Sequence, residues 1–406
     1  MKSERVTVSI DELTATQVIE LETCVRCGAC ANSCPVYLED KNVLAIPALK
    51  LNELRYLVNK ERSILSIIFR PRPVKAERLE EISKQSYRCT LCGRCMTGCV
   101  FGIQNRELRE VLRSILYRSG YLPTPLKKIA TSLSEKMNPF EANAEKRLRW
   151  IEQTGLKEVP IKERADTVFF VGCSSAFLEL NQRIAFATAS ILNHVKENWT
   201  LLGDEWCCGN PWIAIGDQRK AQEFARHNTY LIESMGAKRV ITSCAACYKM
   251  LKWKYPQIIR HQPRFEVLHF TEFLSRCIRD GQIQFSEKVR GRVTYHDPCE
   301  LSRLGGVVEE PRYVLKRLTD KFLEMPENRM DTYCCGGGGF LKEIDDELRL
   351  KIGTTRIKHA EKTQAEILTS ACPTCKITLI DSAKEARSDV KILDLAELVA
   401  EQMRII

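Results

Sequence analysis

The sequence lacks the features of a secreted or membrane-spanning chain. Its first 17 residues, MKSERVTVSIDELTATQ, are polar, whereas a signal peptide needs an apolar core. The apolar stretch SILSIIF at 63–69 is far shorter than the roughly 20 residues that cross a bilayer. We therefore expect a cytoplasmic chain without a transmembrane segment of its own. In a reducing compartment, spaced cysteines bind metal more often than they form disulfides.

Nucleotide-binding and nucleic-acid-binding patterns are also absent. No G-x-G-x-x-G follows a predicted strand, and no G-x-x-x-x-G-K-[ST] occurs. The chain is therefore not expected to use NADH alone. No helix-turn-helix or RNA-binding signature is present either, so no nucleic-acid partner is expected.

Positive charge is concentrated in one segment. The chain has a net charge of +10, and residues 60–128 contain 15 Lys/Arg against 6 Asp/Glu. This surplus predicts a docking face for an acidic redox partner or an anionic membrane surface. A plain solvated basic surface is the alternative. A position at the inner face of the membrane, held there by a partner, is compatible with the first interpretation.

Cysteine is abundant, with 19 residues, and the first class of cysteines lies in the N-terminal quarter. CVRCGACANSCP and CTLCGRCMTGCV both have the pattern C-x2-C-x2-C-x3-C, 65 residues apart. In two-cluster ferredoxins the fourth cysteine of each run binds the other cluster. Zinc knuckles, the alternative, would use C-x2-C pairs without a third evenly spaced cysteine. The pattern predicts two cubane [4Fe–4S] clusters, one held by Cys24, Cys27, Cys30 and Cys99, and the other by Cys89, Cys92, Cys95 and Cys34.

The second class of cysteines is a repeat of five, with matching cysteines 126 to 128 residues apart. The first five-cysteine set is Cys173, Cys207, Cys208, Cys244 and Cys247; the second is Cys299, Cys334, Cys335, Cys372 and Cys375. Each copy alternates short apolar strands with helices, which predicts two small α/β domains with parallel sheets. Several of these cysteines follow predicted strands, and ligands gather at the carboxyl ends of parallel strands.

Five thiolates exceed the four terminal ligands of a cube, so each set predicts a different kind of cluster or leaves one cysteine spare. Two structural zinc sites, or buried cysteines without metal, are the alternatives. Vicinal cysteines diverge, which suits two different irons. Gly209, Gly336 and Gly337 are predicted to let the backbone approach a cofactor. The remaining cysteine, Cys277, is predicted to be a buried helix residue.

The predicted fold is therefore an α+β multidomain chain. A helical ferredoxin-like module covers 1–120, and a linker with a polar helix around 141–153 covers 121–165. The two α/β domains cover 166–290 and 291–406. The first domain is expected to enclose its site more, because Gly209 is followed by Asn-Pro-Trp rather than by more glycines.

The CCG and C-x-x-C motifs, present twice at this spacing, resemble the CCG domain pair of heterodisulfide reductase. The fused N-terminal module makes the whole chain similar to the D-type subunits of that family, equivalent to its C-type and B-type subunits joined. The resemblance implies that each five-cysteine set binds one noncubane [4Fe–4S] cluster. It also implies a multisubunit complex whose electron donor is a flavoprotein, a hydrogenase or a haem membrane subunit.

The family's mechanism implies that a small-molecule disulfide enters between the two noncubane clusters. One electron from each cluster cleaves the S–S bond, each sulfur is caught by an iron, and two protons release two thiols. His296, Asp297 and Glu300 are the candidate proton donors, and each is equally compatible with a capping or strand-end role. Glu300 stands where a histidine is common in the family.

A conduit is the alternative function. Chains with the same layout resemble iron–sulfur subunits of glycolate and lactate oxidases, or of aromatic acyl-CoA reductase and electron-transfer-flavoprotein complexes. The glycolate type commonly lacks a C-x-x-C cysteine, whereas all ten cysteines are present here. A structural metal protein without redox activity is a third alternative.

Overall fold

The computed structural model describes residues 5–11, 13–61, 73–154, 156 and 159–406. These residues form two compact units. The first unit comprises Met1–Ala130, Pro211–Gln218 and Gly336–Ile352, and the second comprises Thr131–Asn210, Arg219–Cys335 and Gly353–Ile406. The apolar stretch 63–69 and residues 62–72 of the basic segment lie outside the described residues. The domain boundaries at 120, 165 and 290 stay a prediction, and two short pieces of the first unit interrupt the predicted α/β domains.

The first unit is helical, as predicted. Its two longest described helices, Pro47–Glu61 and Asn105–Arg118, coincide with the stretches that carry apolar residues at helical spacing. Leu54, Leu108 and Leu116 are fully buried in their common core. A short antiparallel pair, β1 (Arg5–Val6) with β2 (Val74–Lys75), joins two distant parts of the chain. The remaining helices of this unit are Ala15–Thr23, Ala29–Ala31, Pro35–Asp40, Val43–Ala45, Ala76–Tyr87, Arg94–Thr97 and Leu341–Ile344, with Asp346–Glu361, Asn210–Ile215 and Thr124–Lys136 in part.

The second unit contains two parallel four-stranded sheets. The first has the order β4 (Trp199–Thr200), β3 (Thr167–Phe169), β5 (Arg239–Thr242), β6 (Glu266–His269). The other has the order β8 (Phe322–Leu323), β7 (Val293–His296), β9 (Ile367–Ser370), β10 (Lys391–Asp394). Within each copy the order is second, first, third, fourth, so the two sheets share one topology. The predicted pair of parallel α/β domains is confirmed.

The outer strands β4 and β8 were not predicted. Each has only two residues, and each pairs with one neighbour, Thr167↔Trp199 in one sheet and Val293↔Phe322 in the other. Two residues are too few to display the alternation by which a strand is recognised.

Helices connect the strands of the second unit and follow the last strand of each copy. In the first copy they are Cys173–Phe177, Glu179–His194, Gln218–Ser234, Ala245–Lys249, the π-helix Met250–Lys254, Tyr255–Ile259 and Phe270–Arg279. In the second copy they are Glu309–Leu318, Arg329–Asp331, Pro373–Ala386 and Leu395–Gln402. The first cysteine of each set follows β3 or β7, and each C-x-x-C motif follows β5 or β9. The sheets therefore place these cysteines at the carboxyl ends of adjacent central strands.

The segment predicted as a linker contributes helices. Thr124–Lys136 precedes the stretch around 141–153, which forms a 3-10 helix, Ala144–Leu148, and an α-helix, Arg149–Thr154. Arg147 and Trp150 in this stretch are buried. A helix was expected here, but as a polar one; two of its largest side chains instead belong to the interior of the second unit. Among the described residues, no helix is long and apolar enough to span a membrane.

Candidate metal centres

The structure brings Cys99 together with Cys24, Cys27 and Cys30. All four line one cavity, which Phe101 and Val25 also border. Their thiols interact electrostatically with one another around the buried Cys30, and burial is the main cause that raises the pKa of Cys30. Cys27 is exposed, as are Val25 and Phe101. This is the same group of four that the crossed ferredoxin pattern predicts, although ligation itself remains a proposal.

The other four N-terminal cysteines, Cys34, Cys89, Cys92 and Cys95, line a second cavity. Burial raises the pKa of the Cys34 thiol to about 12 and that of Cys95 well above its usual value. Such thiols ionise readily only beside a metal, which replaces the proton. One thiol per iron around each cavity fits a four-iron cluster.

Buried cations face this second group. Lys50 Nζ donates a hydrogen bond to the carbonyl oxygen of Arg88 over 2.7 Å, and burial lowers the pKa of Lys50 to about 8. The charges of Cys89 and Cys34 favour protonated Lys50, and those of Cys89, Cys95 and Cys34 favour charged Arg109. The positive charges therefore compensate thiolates that burial would otherwise disfavour.

This burial corrects the interpretation of residues 60–128 as one basic docking face. Four of the arginines are buried rather than presented to a partner: Arg94, Arg106, Arg109 and Arg113. Three further basic residues, Arg62, Arg70 and Arg72, lie outside the described residues. The exposed members are Lys75, Lys84, Arg118, Lys127 and Lys128. The docking-face interpretation is therefore wrong for the four buried arginines, whose charge is used inside the first unit.

The first five-cysteine set is fully assembled. All five cysteines are buried. Hydrogen bonds link Cys173 to Cys207, Cys207 to Cys208, Cys208 to Cys247 and Cys247 to Cys244. The two vicinal cysteines contact each other, but their other contacts lie in different directions: Cys207 faces Cys173, and Cys208 faces Cys247. This divergence fits two different irons better than one.

A buried ion pair stands beside the first set. Arg147 Nη1 contacts Glu205 Oε1 over 2.7 Å, and its other terminal nitrogen lies 3.6 Å from Cys173 Sγ. Glu205 in turn accepts hydrogen bonds from the backbone N–H groups of Val171 and Gly172. The hydrogen bond from Cys207 and the charge of Arg147 lower the pKa of Cys173. Arg147 was not among the predicted site residues.

In the second set, Cys334, Cys335, Cys372 and Cys375 are buried and connected. Cys335 Sγ lies 3.4 Å from Cys375 Sγ, and Cys335 also contacts Cys334. Cys372 contacts Cys375. Cys299 follows β7 and is only partly buried, whereas all five cysteines of the first set are buried. The second set is therefore more open at this cysteine.

The two sets meet through their C-x-x-C motifs. Cys244 and Cys372 hydrogen-bond to each other, and this contact is the main cause that raises the pKa of Cys372. Lys249 spans the same region: its Nζ lies 2.9 Å from Asn210 Oδ1 and 2.9 Å from Glu300 Oε2. Asn210 follows the first set's CC pair, and Glu300 follows Cys299. The two five-cysteine sets thus border one shared site.

The three predicted proton donors have different surroundings. Asp297 is buried, and its two oxygens accept hydrogen bonds from Arg312 over 2.7 and 2.8 Å. A carboxylate committed to this ion pair fits a structural role. Glu300 is paired with the buried Lys249. His296 is the one that faces the second set, where it hydrogen-bonds to Cys335.

The glycines after Cys335 show a packing role that was not predicted, while the approach of Gly209, Gly336 and Gly337 to a cofactor stays a prediction. Gly336 and Gly339 have φ of +95° and +64°, whereas Gly337 is not among the glycines with positive φ. A Cβ on Gly338 or Gly339 would overlap the carbonyl oxygen of Thr90 or Cys89, respectively. The last two glycines therefore allow close packing against the backbone of the group of Cys34, Cys89, Cys92 and Cys95.

Two further glycines lie beside the first set. A Cβ on Gly172 would lie 3.0 Å from Cys247 Sγ, so this glycine keeps space beside the cysteines. Gly172 was not predicted, although its position directly before Cys173 and after a strand was a usable signal. Gly209, which was predicted, has φ of +84°, and a Cβ there would lie 3.4 Å from the carbonyl oxygen of Ala221.

The comparisons with known proteins agree with this arrangement. The family "4Fe-4S dicluster domain" matches residues 20–103, and the family "Cysteine-rich domain" matches residues 167–252 and 293–380. The D-type subunit of the dihydromethanophenazine:CoB–CoM heterodisulfide reductase of Methanosarcina barkeri is 37% identical over 98% of this chain and 98% of its own length. The chain belongs to the family of heterodisulfide reductase D-type subunits. As a member of this family, it is an iron–sulfur oxidoreductase subunit.

Relatives with other names share the layout. The EtfAB:quinone oxidoreductase of Syntrophomonas wolfei is 26% identical over 97% of this chain and 60% of its own length. Among solved structures, a hypothetical protein from Helicobacter pylori has a TM-score of 0.60 at 12% identity, covering 96% of this chain and 73% of the other. The latter likeness concerns the fold alone.

Proposed function

We propose that this protein carries two cubane and two noncubane [4Fe–4S] clusters and reduces a small-molecule disulfide. The two groups of four N-terminal cysteines would hold the cubanes, and the two five-cysteine sets would hold the noncubane clusters. When bound, these clusters supply single electrons. The donor sets support this assignment, because four thiols surround each N-terminal cavity and five cysteines of each copy follow the same topology.

The observation that carries the proposal is the contact between Cys244 and Cys372. Breaking a disulfide requires two electrons and two protons and yields two thiols. Two one-electron centres that border the same site fit this stoichiometry, with one electron delivered to each sulfur. A chain that only relays electrons needs one exit centre and no such pair.

Electrons are proposed to enter at the group of Cys24, Cys27, Cys30 and Cys99. Cys27 is exposed, and Val100 beside Cys99 is 79% exposed, so a partner can approach this group. The group of Cys34, Cys89, Cys92 and Cys95 has a more enclosed ligand set and faces buried cations. A flavoprotein, a hydrogenase or a haem membrane subunit would supply the electrons as a partner in a complex.

A conduit is the second candidate function, favoured by the similarity to the EtfAB:quinone oxidoreductase. In that case the chain would pass electrons between a flavin partner and another acceptor. The complete pair of five-cysteine sets supports the reductase instead, because a relay has no need for two terminal centres at one site.

The test is disulfide reduction by the anaerobically purified protein with reduced benzyl viologen as the electron donor. The CoB–CoM heterodisulfide, named for the Methanosarcina relative, is the first disulfide to try. About 16 irons per chain are expected, four for each of four clusters. Viologen oxidation should depend on the presence of the disulfide. Two thiols should appear for each disulfide that is reduced.

Cys372→Ser should abolish disulfide reduction while the EPR signals of the cubanes persist. Cys277→Ser is the matched control, because Cys277 is buried in the helix Phe270–Arg279, outside the proposed ligand sets. Eight irons with two zincs would contradict the noncubane assignment. Full iron content with no reduction of this disulfide or others, but rapid electron transfer to a quinone, would favour the conduit.

A further inference from the structure

His296 occupies a distinctive place beside the second five-cysteine set. It is the last residue of β7, three positions before Cys299, and is 1% exposed. Its Nδ1 accepts a hydrogen bond from Nε of Arg356 over 3.0 Å. Arg356 is itself fully buried, and its Nη1 donates to the carbonyl oxygen of Pro326 over 2.8 Å. Both partners are therefore fixed inside the second unit.

The contact with Arg356 decides which ring nitrogen carries the hydrogen. A guanidinium is always a donor and has no lone pair to accept a hydrogen bond. Nδ1 of His296 must therefore be the acceptor, which leaves the ring hydrogen on Nε2. Arg356 thus holds His296 in the Nε2–H tautomer.

Because Arg356 occupies Nδ1, the ring nitrogen directed at sulfur is assigned as Nε2. A ring nitrogen of His296 and the Sγ atoms of Cys335 and Cys375 all lie within 4.8 Å of one another. Nε2 makes no hydrogen bond of ordinary geometry, and the interaction of His296 with Cys335 is the one left to it. The hydrogen bond with Cys334 and, to a smaller degree, this interaction lower the pKa of the Cys335 thiol. A buried N–H without a conventional acceptor is costly, so its direction towards two cysteines calls for an explanation.

The internal repeat provides the comparison. The residue three positions before Cys173 is Phe170, and the residue 21 positions after Cys208 is Thr229; the second copy has His296 and, 21 positions after Cys335, Arg356. Phenylalanine cannot donate a hydrogen bond. The first copy instead has the charged Arg147, 3.6 Å from Cys173. The donor and the residue that orients it thus occur together in the second copy and are both replaced in the first.

We propose that His296 donates an N–H···S hydrogen bond to the cluster held by the second five-cysteine set, and that this bond raises the reduction potential of that cluster. The inference rests on the proposed function in one respect, namely that this set holds a cluster. A cluster gains negative charge when it is reduced, and an N–H directed at its sulfur stabilises that charge. Arg356 is a positioning residue, since it acts through the tautomer of His296.

The two terminal centres are therefore inequivalent by construction. The second is stabilised in its reduced form by a neutral donor fixed in place, whereas the first has a guanidinium that is shared with Glu205. With unequal reduction potentials, the two centres would not be interchangeable as electron sources for the two sulfurs of a bound disulfide. It also provides a measurable signature that does not depend on turnover.

The experiment is a redox titration of the full-length holoprotein, monitored by EPR. His296→Phe copies the residue of the first copy, His296→Gln keeps an N–H donor, and Arg356→Thr copies Thr229. For His296→Phe we expect the equilibrium constant for reducing one noncubane cluster to fall about tenfold. For a one-electron couple, this lowers the midpoint potential by about 59 mV. His296→Gln should restore part of the shift, and Arg356→Thr should give an intermediate value.

A second readout is pulsed EPR after exchange into D₂O. Wild-type protein should show a coupled, exchangeable deuteron that is lost in His296→Phe, while the cubane signals stay unchanged. An unchanged midpoint in His296→Phe with full iron content would overturn the inference and leave the proposed function intact. Strong nitrogen coupling in wild-type protein, with iron loss in both His296 variants, would overturn it by making His296 a ligand. Wild-type protein without noncubane clusters would instead refute the proposed function.

Discussion

The guanidinium of Arg113 donates a hydrogen bond to the carbonyl oxygen of Cys89 over 2.9 Å. The same buried side chain donates to the carbonyl oxygens of Ala214 over 2.8 Å and Gly339 over 3.2 Å. Ala214 and Gly339 belong to the two short segments of the first unit that follow the CC pairs in the sequence. One side chain thus ties both segments to the backbone of Cys89, a proposed cubane ligand.

Replacement of Arg113 should therefore destabilise the first unit. Arg113→Met removes the guanidinium N–H donors. The carbonyl oxygens of Cys89, Ala214 and Gly339 then lose their hydrogen bonds from this side chain. Hydrogen bonds to charged groups contribute about 1.5–3 kcal/mol each, so we expect the free energy of unfolding to fall by at least ~3 kcal/mol. Anaerobic urea unfolding followed by circular dichroism measures this. Arg118→Met, on the same helix but exposed, is the control and should change little. Equal stability of the two variants would contradict the role of Arg113.

The glycines after Cys335 make a second prediction. A Cβ on Gly338 would overlap the carbonyl oxygen of Thr90, whereas a Cβ on Gly203 would have no atom within 4 Å. Gly338→Ala should therefore cost about 1–3 kcal/mol, typical of an overpacked site, and should broaden the EPR signal of the cubane near Cys89. Gly203→Ala is the control. If Gly338→Ala matched it in both measurements, the glycines would only be a flexible turn.

The sequence predicted the parts of the fold that local pattern specifies. Strands β3, β5, β7 and β9 are apolar runs that end near a cysteine, and the repeat of five cysteines indicated two similar domains. The two-residue strand β4 carries too little pattern, and β8 has the same limitation. The excursions at 211–218 and 336–352 could not be predicted either, because their membership of the first unit depends on contacts far apart in the sequence.

The candidate sites divide in the same way. Cysteine spacing predicted three members of each group of four, because one loop can place three evenly spaced thiols around a cavity, and the two-cluster ferredoxin pattern predicted the fourth. Lys50, Arg113 and Arg356 were not predicted, since a basic residue in a charged segment reads as a surface residue. Their burial depends on tertiary contacts. His296 was predicted as a site residue only because it precedes Asp297, Pro298 and Cys299. Its tautomer could not be predicted, because it depends on Arg356, which lies 60 residues later.

Cys95→Ser tests the division between electron supply and the terminal site. Cys95 interacts with Cys34, Cys92 and Cys89, so its loss should damage one cubane, with up to four irons lost, and should slow electron entry. After chemical reduction, the proposed clusters of the second unit should still bind the disulfide. Iron analysis, EPR and equilibrium binding measure these effects, with Cys277→Ser as the control. If Cys95→Ser also lost disulfide binding, the site of electron supply and the site of disulfide binding would not be separate.

The last prediction concerns acid stability and His269. This histidine caps the helix Phe270–Arg279, where its Nδ1 accepts from the backbone N–H of Thr271, and its ring packs edge-on against Tyr248. It is 1% exposed, and burial lowers its pKa from 6.5 to about 3. In the unfolded chain the ring takes up a proton below about pH 6.5, whereas in the folded chain it stays neutral until about pH 3.

The unfolded state therefore binds more protons across this range, and the free energy of unfolding should fall as the pH is lowered from about 6.5 towards 3. His269→Asn keeps an N-cap acceptor but cannot titrate. We expect this variant to be less stable than wild type at pH 7.5, because packing is lost, but to lose less of its stability between pH 7.5 and 5.5. Urea unfolding at both pH values gives the difference, and acid effects on the clusters are common to both proteins. A pH dependence as steep in His269→Asn as in wild type would show that another group is responsible.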